Sequence, residues 1–205
     1  MVLDPLIMLL SVGAYGAVHS LLALLSVKRR ARACFGPRAD RLYRLTYNLF
    51  AIVSFLPVLA VLAWQPGVVL YRISLPWAAA TVAGQAAALC LLAIGLVQTD
   101  VWSFLGLRQL TDAGETPPRL VANGLYRRVR HPLYTAGLLF IWLTPLMTTS
   151  VLVINLALTA YIIVGSRLEE RRLMAEFGQA YADYRAVVPG LIPRPPRISP
   201  SPKPR

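Results

Sequence analysis

Residues 130–170 read RHPLYTAGLLFIWLTPLMTTSVLVINLALTAYIIVGSRLEE. Two apolar runs, Pro132–Met147 and Val151–Ser166, are separated only by Thr148-Thr149-Ser150 and are flanked by charge. At ~1.5 Å rise per residue, each run is near the lower limit for crossing a ~30 Å hydrocarbon core. Together they predict a tight helical hairpin that crosses a locally thinned layer or is shielded by other helices. A hairpin returns the chain to the side it left. Arg130-His131-Pro132 and Glu169-Glu170 are therefore expected at one membrane surface, neighbours in space although far apart in sequence.

Working outward, three further apolar segments precede the hairpin: Pro5–Val27, Leu45–Trp64 (closed by Gln65-Pro66-Gly67) and Trp77–Gln98. Of the 205 residues, 57% are hydrophobic and only 15% charged, too little charge to cover a soluble domain of this length. The fold class this predicts is all-α: a polytopic membrane protein with five transmembrane helices, the last two a tight hairpin. The connections alternate in charge. The first carries Lys28, Arg29, Arg30, Arg32, Arg38, Arg41 and Arg44, and the second only Arg72. The third carries Arg108, Arg119, Arg127, Arg128 and Arg130, and the segment after the fifth run carries Arg167, Arg171, Arg172 and Arg185. That alternation puts the N-terminus outside and the C-terminus in the cytoplasm.

The net charge of +12 sits in short loops between apolar runs, the pattern of topology signals and contacts to anionic lipid headgroups rather than of nucleic-acid binding. The first run lacks a basic segment before it and reads as a retained helix, not a cleaved signal peptide. Cys34 and Cys90 read as unpaired thiols. After the fifth run, Leu173, Phe177, Tyr181 and Tyr184 recur at helical spacing. They predict an amphipathic helix along the inner face, with Phe177-Gly178 as a possible bend. The closing PRPPRISPSPKPR has too few apolar residues to pack and reads as a disordered basic tail. The chain thus divides into an N-terminal three-helix region (1–98), a core with the hairpin (99–192) and the tail (193–205).

The hairpin ends carry the chemistry. Pro132 suits the first position of a helix, where its missing N–H costs nothing. The N–H groups of Leu133 and Tyr134, with the helix dipole and Arg130, then make an anion site. Carboxylates at Glu169 and Glu170 suit a cationic amine, and the pair of sites suits a zwitterionic ligand. On residues alone a second reading stands beside this one, in which the arginines are topology anchors and the glutamates a solvated helix start. Elsewhere, His19 lies within a span as a pocket residue or a hydrogen-bonded core histidine. Asn48, Gln85 and Asn155 read as interhelical hydrogen-bonders, and Trp102, Trp142 and Tyr161 as packing groups. No His/Cys cluster has metal-ligand spacing, so no metal is expected.

The stretch NGLYRRVRHPLYTAGLLF, followed by EERRLMAEFGQAYADYRAVVPGLIP, resembles the isoprenylcysteine carboxyl methyltransferase and phospholipid methyltransferase superfamily over residues 99–192. The shared pattern is Gly-x-Tyr-x-x-x-Arg-His-Pro-x-Tyr, a hairpin, Glu-Glu, Phe-Gly-x-x-Tyr-x-x-Tyr and Val-Pro. His19-Ser20 and RLYRLTYNLF resemble nurim and NnrU membrane proteins. FLGLRQL, TPLMTTSVL and TAYIIVGSRLEERRL look most like membrane-bound methanethiol S-methyltransferases.

The resemblance implies an integral membrane methyltransferase using S-adenosyl-L-methionine. It implies that Gln109 and Pro118-Arg119-Leu120-Val121 border the adenosine, and that Tyr126, Arg130, His131, Pro132, Leu133 and Tyr134 line the cofactor. Glu169, with Glu170 beside it, would hold the amino group of the methionine moiety. In the carboxyl methyltransferases an arginine four residues before that glutamate contacts the substrate carboxylate. Here the position is Gly165, and Arg167 points to another face. The acceptor implied is a small thiol or other lipid-soluble molecule. Phospholipid or isoprenylcysteine methylation and a non-enzymatic nurim-like role are the alternatives. His131, Glu169 and Glu170 are the groups near enough to assist a thiol's deprotonation, and the sequence does not choose among them. A bacterial inner membrane is the expected location.

Overall fold

The computed structural model describes residues 3–110 and 119–193; the 194–205 part of the predicted tail lies outside the described residues. Helix α1 (Leu3–Ala23) is followed by α2 (Leu25–Phe35), α3 (Pro37–Trp64), strand β1 (Val69–Arg72) and α4 (Trp77–Gln98). Then come α5 (Val101–Leu105), α6 (Pro132–Trp142), β2 (Leu146–Thr148), α7 (Thr149–Phe177) and α8 (Gln179–Val187).

Four of these helices, α1, α3, α4 and α7, are long and apolar enough to cross a membrane. Large aliphatic side chains point outward along them, with Leu10 64%, Ile52 67% and Val97 76% exposed. Water would not tolerate so continuous an apolar surface, so the protein is a multi-pass membrane protein whose solvent is lipid. Inside, α1, α3 and α7 meet around Met8, Val12, Val58 and Ile154, with Tyr15, Phe55 and Leu158 against them.

Three sequence expectations change here. The run Pro132–Met147 is not one helix: α6 stops at Trp142, about 16 Å long. Pro145 cannot continue it, and Leu146–Thr148 pairs instead with Val69–Arg72 as an antiparallel ribbon. The fold is therefore a helical bundle with a two-stranded ribbon, and the hairpin turns through a strand rather than three residues. Second, the basic segment after α1 is helical: α2 and the start of α3 cover it, with Gly36 (φ 66°) between them. Third, the fifth run and the charged segment behind it form one 29-residue helix. It ends at Gly178 (φ 53°), where the sequence placed the bend, and α8 starts after it.

Polar side chains tie the helices together as the sequence predicts. The Gln85 amide donates to the Phe140 carbonyl at 3.0 Å, joining α4 to α6. Asn155 donates to the Ile141 carbonyl at 2.8 Å, joining α7 to α6. Gly95 lets α4 approach α6 closely, since a Cβ there would lie 2.8 Å from Leu133 Cδ2. Following the helix directions, the ribbon closes one end of the bundle. The start of α6 and the charged half of α7 meet at the other.

Candidate functional site

At that second end the chain returns to α6 twice. Glu170 arrives on α7, and the segment after α8 lies alongside the start of α6. The N–H of Arg130 donates to the Pro189 carbonyl at 2.8 Å, and that of His131 to the Gly190 carbonyl at 3.2 Å. The Arg130 guanidinium donates through Nε to Glu170 Oε1 at 2.9 Å and through Nη1 to the carbonyls of Val188 and Arg185. Arg185 adds a second cation 3.5 Å from Glu170 Oε2. Thr135 Oγ1 donates to the Leu191 carbonyl at 2.6 Å. Arg130 and Glu170 thus form an almost buried pair, 11% and 13% exposed at the side chain, that clasps the C-terminal segment.

His131 stands between the two glutamates, with Nε2 3.2 Å from Glu170 Oε1 and Nδ1 3.7 Å from Glu169 Oε2. Glu169 differs from its neighbour. Its side chain is 37% exposed and lines a cavity of about 460 Å³. That volume lies within the ~300–1,000 Å³ common for small-molecule sites.

One wall of the cavity comes from Tyr126, the Arg130–Tyr134 turn and Glu169. Pro132 opens α6, so the N–H groups of Leu133 and Tyr134 have no acceptor within the helix. The rings of His131 and Tyr134 stack at 5.5 Å. Tyr126 sits in a 3-10 turn, Gly124–Arg127, whose carbonyl at Tyr126 accepts from Tyr184 Oη at 2.7 Å. Burial, and then the charge of Glu169, pushes the Tyr126 phenol up to about 12, so it stays a neutral donor at physiological pH.

The opposite wall comes from the first half of the chain: His19 on α1, Arg44, Tyr47 and Asn48 on α3, and Phe104 on α5. Short α5 is strapped onto α3. Arg44 Nη1 donates to the Ser103 carbonyl at 2.8 Å, and the Asn48 amide donates to the carbonyls of Phe104 and Leu105 at 2.9 and 3.2 Å. Gly106 (φ 87°) permits this closeness, because a Cβ there would lie 2.5 Å from the Leu45 nitrogen.

Seven predicted site residues therefore share one cavity: Tyr126, Arg130, His131, Pro132, Leu133, Tyr134 and Glu169. Glu170 lies beside it, turned to Arg130. Gln109 packs under α5, its amide donating to Ser103 at 3.3 Å, and does not line the cavity. Arg119, Leu120 and Val121 do not line it either, and Pro118 lies outside the described residues. Sequence reasoning missed Arg44, Tyr47 and Phe104. A signal for the first two was present: Arg44, Tyr47 and Asn48 fall at i, i+3 and i+4, so one face of α3 carries all three.

The donor set suits a zwitterionic, cation-bearing ligand. Glu169 complements an ammonium, while Arg44 and the first turn of α6 complement a carboxylate. Aromatic faces at Tyr126, His131 and Tyr134 complement a flat base or a positively charged centre.

Comparison with known proteins identifies relatives of the chain. Residues 79–180 match the family model described as phospholipid methyltransferase. The methanethiol S-methyltransferase of Crocosphaera subtropica is 35% identical over 162 residues, covering 73% of this chain and 60% of the relative. That of Mycobacterium tuberculosis is 32% identical over 204 residues, covering 92% of this chain and 78% of the relative. Methanethiol S-methyltransferase 2 of Bradyrhizobium diazoefficiens is 56% identical over 70 residues, which is 34% of this chain and 27% of the relative. The chain thus spans less than two thirds of the length of the first and third of these relatives. No solved structure matches.

Proposed function

The chain belongs to the family of membrane methyltransferases that includes the methanethiol S-methyltransferases and phospholipid methyltransferases, and on that premise we propose that it methylates a small thiol using S-adenosylmethionine. The observation that carries this reading is the partly exposed carboxylate of Glu169 beside the open first turn of α6 in an aromatic-lined cavity. Bound S-adenosylmethionine supplies an activated sulfonium methyl, so the protein's part is alignment and exclusion of water.

Glu169 binds the ammonium. The N–H groups of Leu133 and Tyr134, with the Arg44 guanidinium, bind the carboxylate. The phenol rings of Tyr126 and Tyr134 offer π-faces to the positive sulfur. Leu133 and Phe104 keep the reacting end dry. Arg130 and Glu170 hold α6, α7 and the C-terminal segment in register and are positioning residues. Gln109 and Arg119–Val121 border the adenosine end, although none of them lines the cavity itself. The N-terminal wall, from residues 1–98 and α5, serves the acceptor side. Gly165, with open space around it, offers no cation to a substrate carboxylate, which favours a thiol over a prenylated carboxylate.

In the membrane we read α6 as a fifth, short crossing. The cavity opens to the cytoplasm, the ribbon faces outside, and the end of α7 with α8 lies along the inner face. The N-terminus is then outside and the C-terminus inside a bacterial inner membrane.

Radiolabelled S-adenosylmethionine binding to detergent-purified protein tests the cofactor. Saturable binding is expected in the wild type, weakened about 100-fold or more in Glu169→Ala, the scale of losing a charge-assisted contact in a partly dry site. No saturable binding in either would sink the enzyme reading. Membranes given methanethiol, longer thiols and phosphatidylethanolamine separately then test the acceptor. Product confined to the lipid fraction would replace the thiol with a headgroup amine.

A further inference from the structure

Methyl transfer to a thiol requires loss of the thiol proton, because the thiolate is the nucleophile. With a pKa of about 8.5, a cysteine-like thiol is mostly protonated at neutral pH. Few groups in the cavity can take that proton. Arg44 is always charged, and the Arg130 guanidinium is bound to Glu170. Both ring nitrogens of His131 face carboxylate oxygens, which accept hydrogens and do not give them. Glu169 lies at the cofactor end, beside the first turn of α6. Tyr126 is neutral. His19 remains.

The surroundings of His19 are those of a held base. Its Nε2 lies 2.7 Å from the Tyr47 hydroxyl. Its Nδ1 is buried and has no hydrogen-bond partner. The ring stacks on Tyr15 at 5.6 Å and lies 4.8 Å from the Tyr47 ring and 6.1 Å from that of Tyr161. When Nε2–H donates to Tyr47, the lone pair on Nδ1 is left without a donor. A buried acceptor with no partner is costly in a core histidine and is what an incoming S–H satisfies. The residue also lies on the wall opposite Glu169, where an acceptor arriving from lipid would enter between α1 and its neighbours.

We propose that His19 is the general base for the acceptor thiol and that Tyr47 holds its ring in place through Nε2, an inference that rests on the thiol reading above. The S–H bond breaks and its proton goes to Nδ1. The thiolate pair forms the new S–CH3 bond as the bond from methyl to sulfonium sulfur breaks. That bonding pair stays on the departing sulfur, which becomes a neutral thioether. The proton on His19 leaves to water when the products leave the cavity. Atoms and charge balance as one thioether, one demethylated cofactor and one proton.

The test compares an alkyl thiol, ethanethiol, with an acidic aromatic thiol, thiophenol, on purified full-length wild type, His19→Gln, His19→Asn and Tyr47→Phe. Thiophenol is ionised without help, so it needs no base. General-base catalysis is typically worth ~10²–10⁴-fold, so kcat with ethanethiol should fall about 100-fold or more in both His19 variants. With thiophenol it should fall less than about 10-fold, while S-adenosylmethionine affinity stays within about threefold. Tyr47→Phe should show the same selectivity at smaller size. Equal losses on both thiols, or loss of cofactor binding in both His19 variants, would overturn the role of His19 alone. A wild type that binds S-adenosylmethionine but methylates neither thiol would overturn the thiol reading beneath it.

Discussion

At the ribbon end, α3, α4, α6 and α7 are joined by neutral groups that satisfy one another. The Thr149 N–H donates to the Val68 carbonyl at 2.9 Å, and the Val68 N–H donates to Thr149 Oγ1 at 3.2 Å. Ser150, fully buried, donates to the Gln65 carbonyl at 2.7 Å. Thr148 caps α7 by accepting from the Val151 N–H. At the other end α6, α7 and α8 are closed by charge: Arg130, Glu170, His131 and Arg185 in contact, with Glu169 facing a cavity. Neutral closure needs no ligand to be complete. Charged closure leaves one carboxylate, Glu169, partly exposed to a cavity with only His131 beside it, and that group is where chemistry can be built. Within this closure, Glu170 and Glu169 are adjacent in sequence yet divide the work: one holds the fold, the other faces the cavity.

The largest expected effect breaks the charged closure. Arg130→Ala leaves Glu170 nearly buried with its main partner gone, a change that costs about 3–5 kcal/mol. Thermal unfolding in detergent should drop by many degrees, and the segment around Val188–Leu191 should become open to protease. Arg130→Ala combined with Glu170→Ala should recover part of that loss, because no buried charge is then stranded. A single variant as stable as the wild type would mean that Arg185 alone holds Glu170, and the division between the two glutamates would fail.

How far the charged end could be read from sequence follows from which contacts are local. That His131 and Glu169-Glu170 meet follows from a chain that leaves and returns across two apolar runs, and the packed structure keeps it. The expectation survives even though α6 is shorter than predicted, because topology rather than helix length sets the meeting point. The strand pairing of Leu146–Thr148 with Val69–Arg72 was not legible, since both segments are short and far apart in sequence. The opposite wall was legible only in part, through His19 and the shared face of Arg44, Tyr47 and Asn48, for another reason. Which faces of α1, α3 and α5 meet depends on close packing around Met8 and Val58 and on the glycine contact at Gly106, and hydropathy carries no trace of either. Arg130 also looked like an anion-site donor. Its engagement with Glu170 depends on residues 185–190 folding back, a long-range event that no spacing announces.

A smaller effect probes the neutral closure. Ser150→Ala removes one buried hydroxyl and leaves the Gln65 carbonyl without that donor, costing about 1 kcal/mol. Methyl transfer at a fixed temperature well below unfolding should not change, because nothing at the ribbon touches the cavity. If the rate fell together with stability, the two ends would be coupled through α7, and the ribbon would belong to the working part of the molecule.

The smallest expected effect lies on α7 between the two ends. A Cβ at Gly165 would meet nothing within 4 Å, so Gly165→Ala adds a methyl to open space. Its helical backbone needs no glycine, and the alanine should stabilise by up to ~1 kcal/mol through helix propensity. The methyl-transfer rate should stay within about twofold of wild type if the acceptor is a small thiol held between His19 and the cofactor. A fall of tenfold or more, with cofactor affinity unchanged, would mean that the acceptor passes along this face of α7. The working surface would then extend beyond the walls that Glu169 and His19 define, and the acceptor would have to be larger than a short-chain thiol.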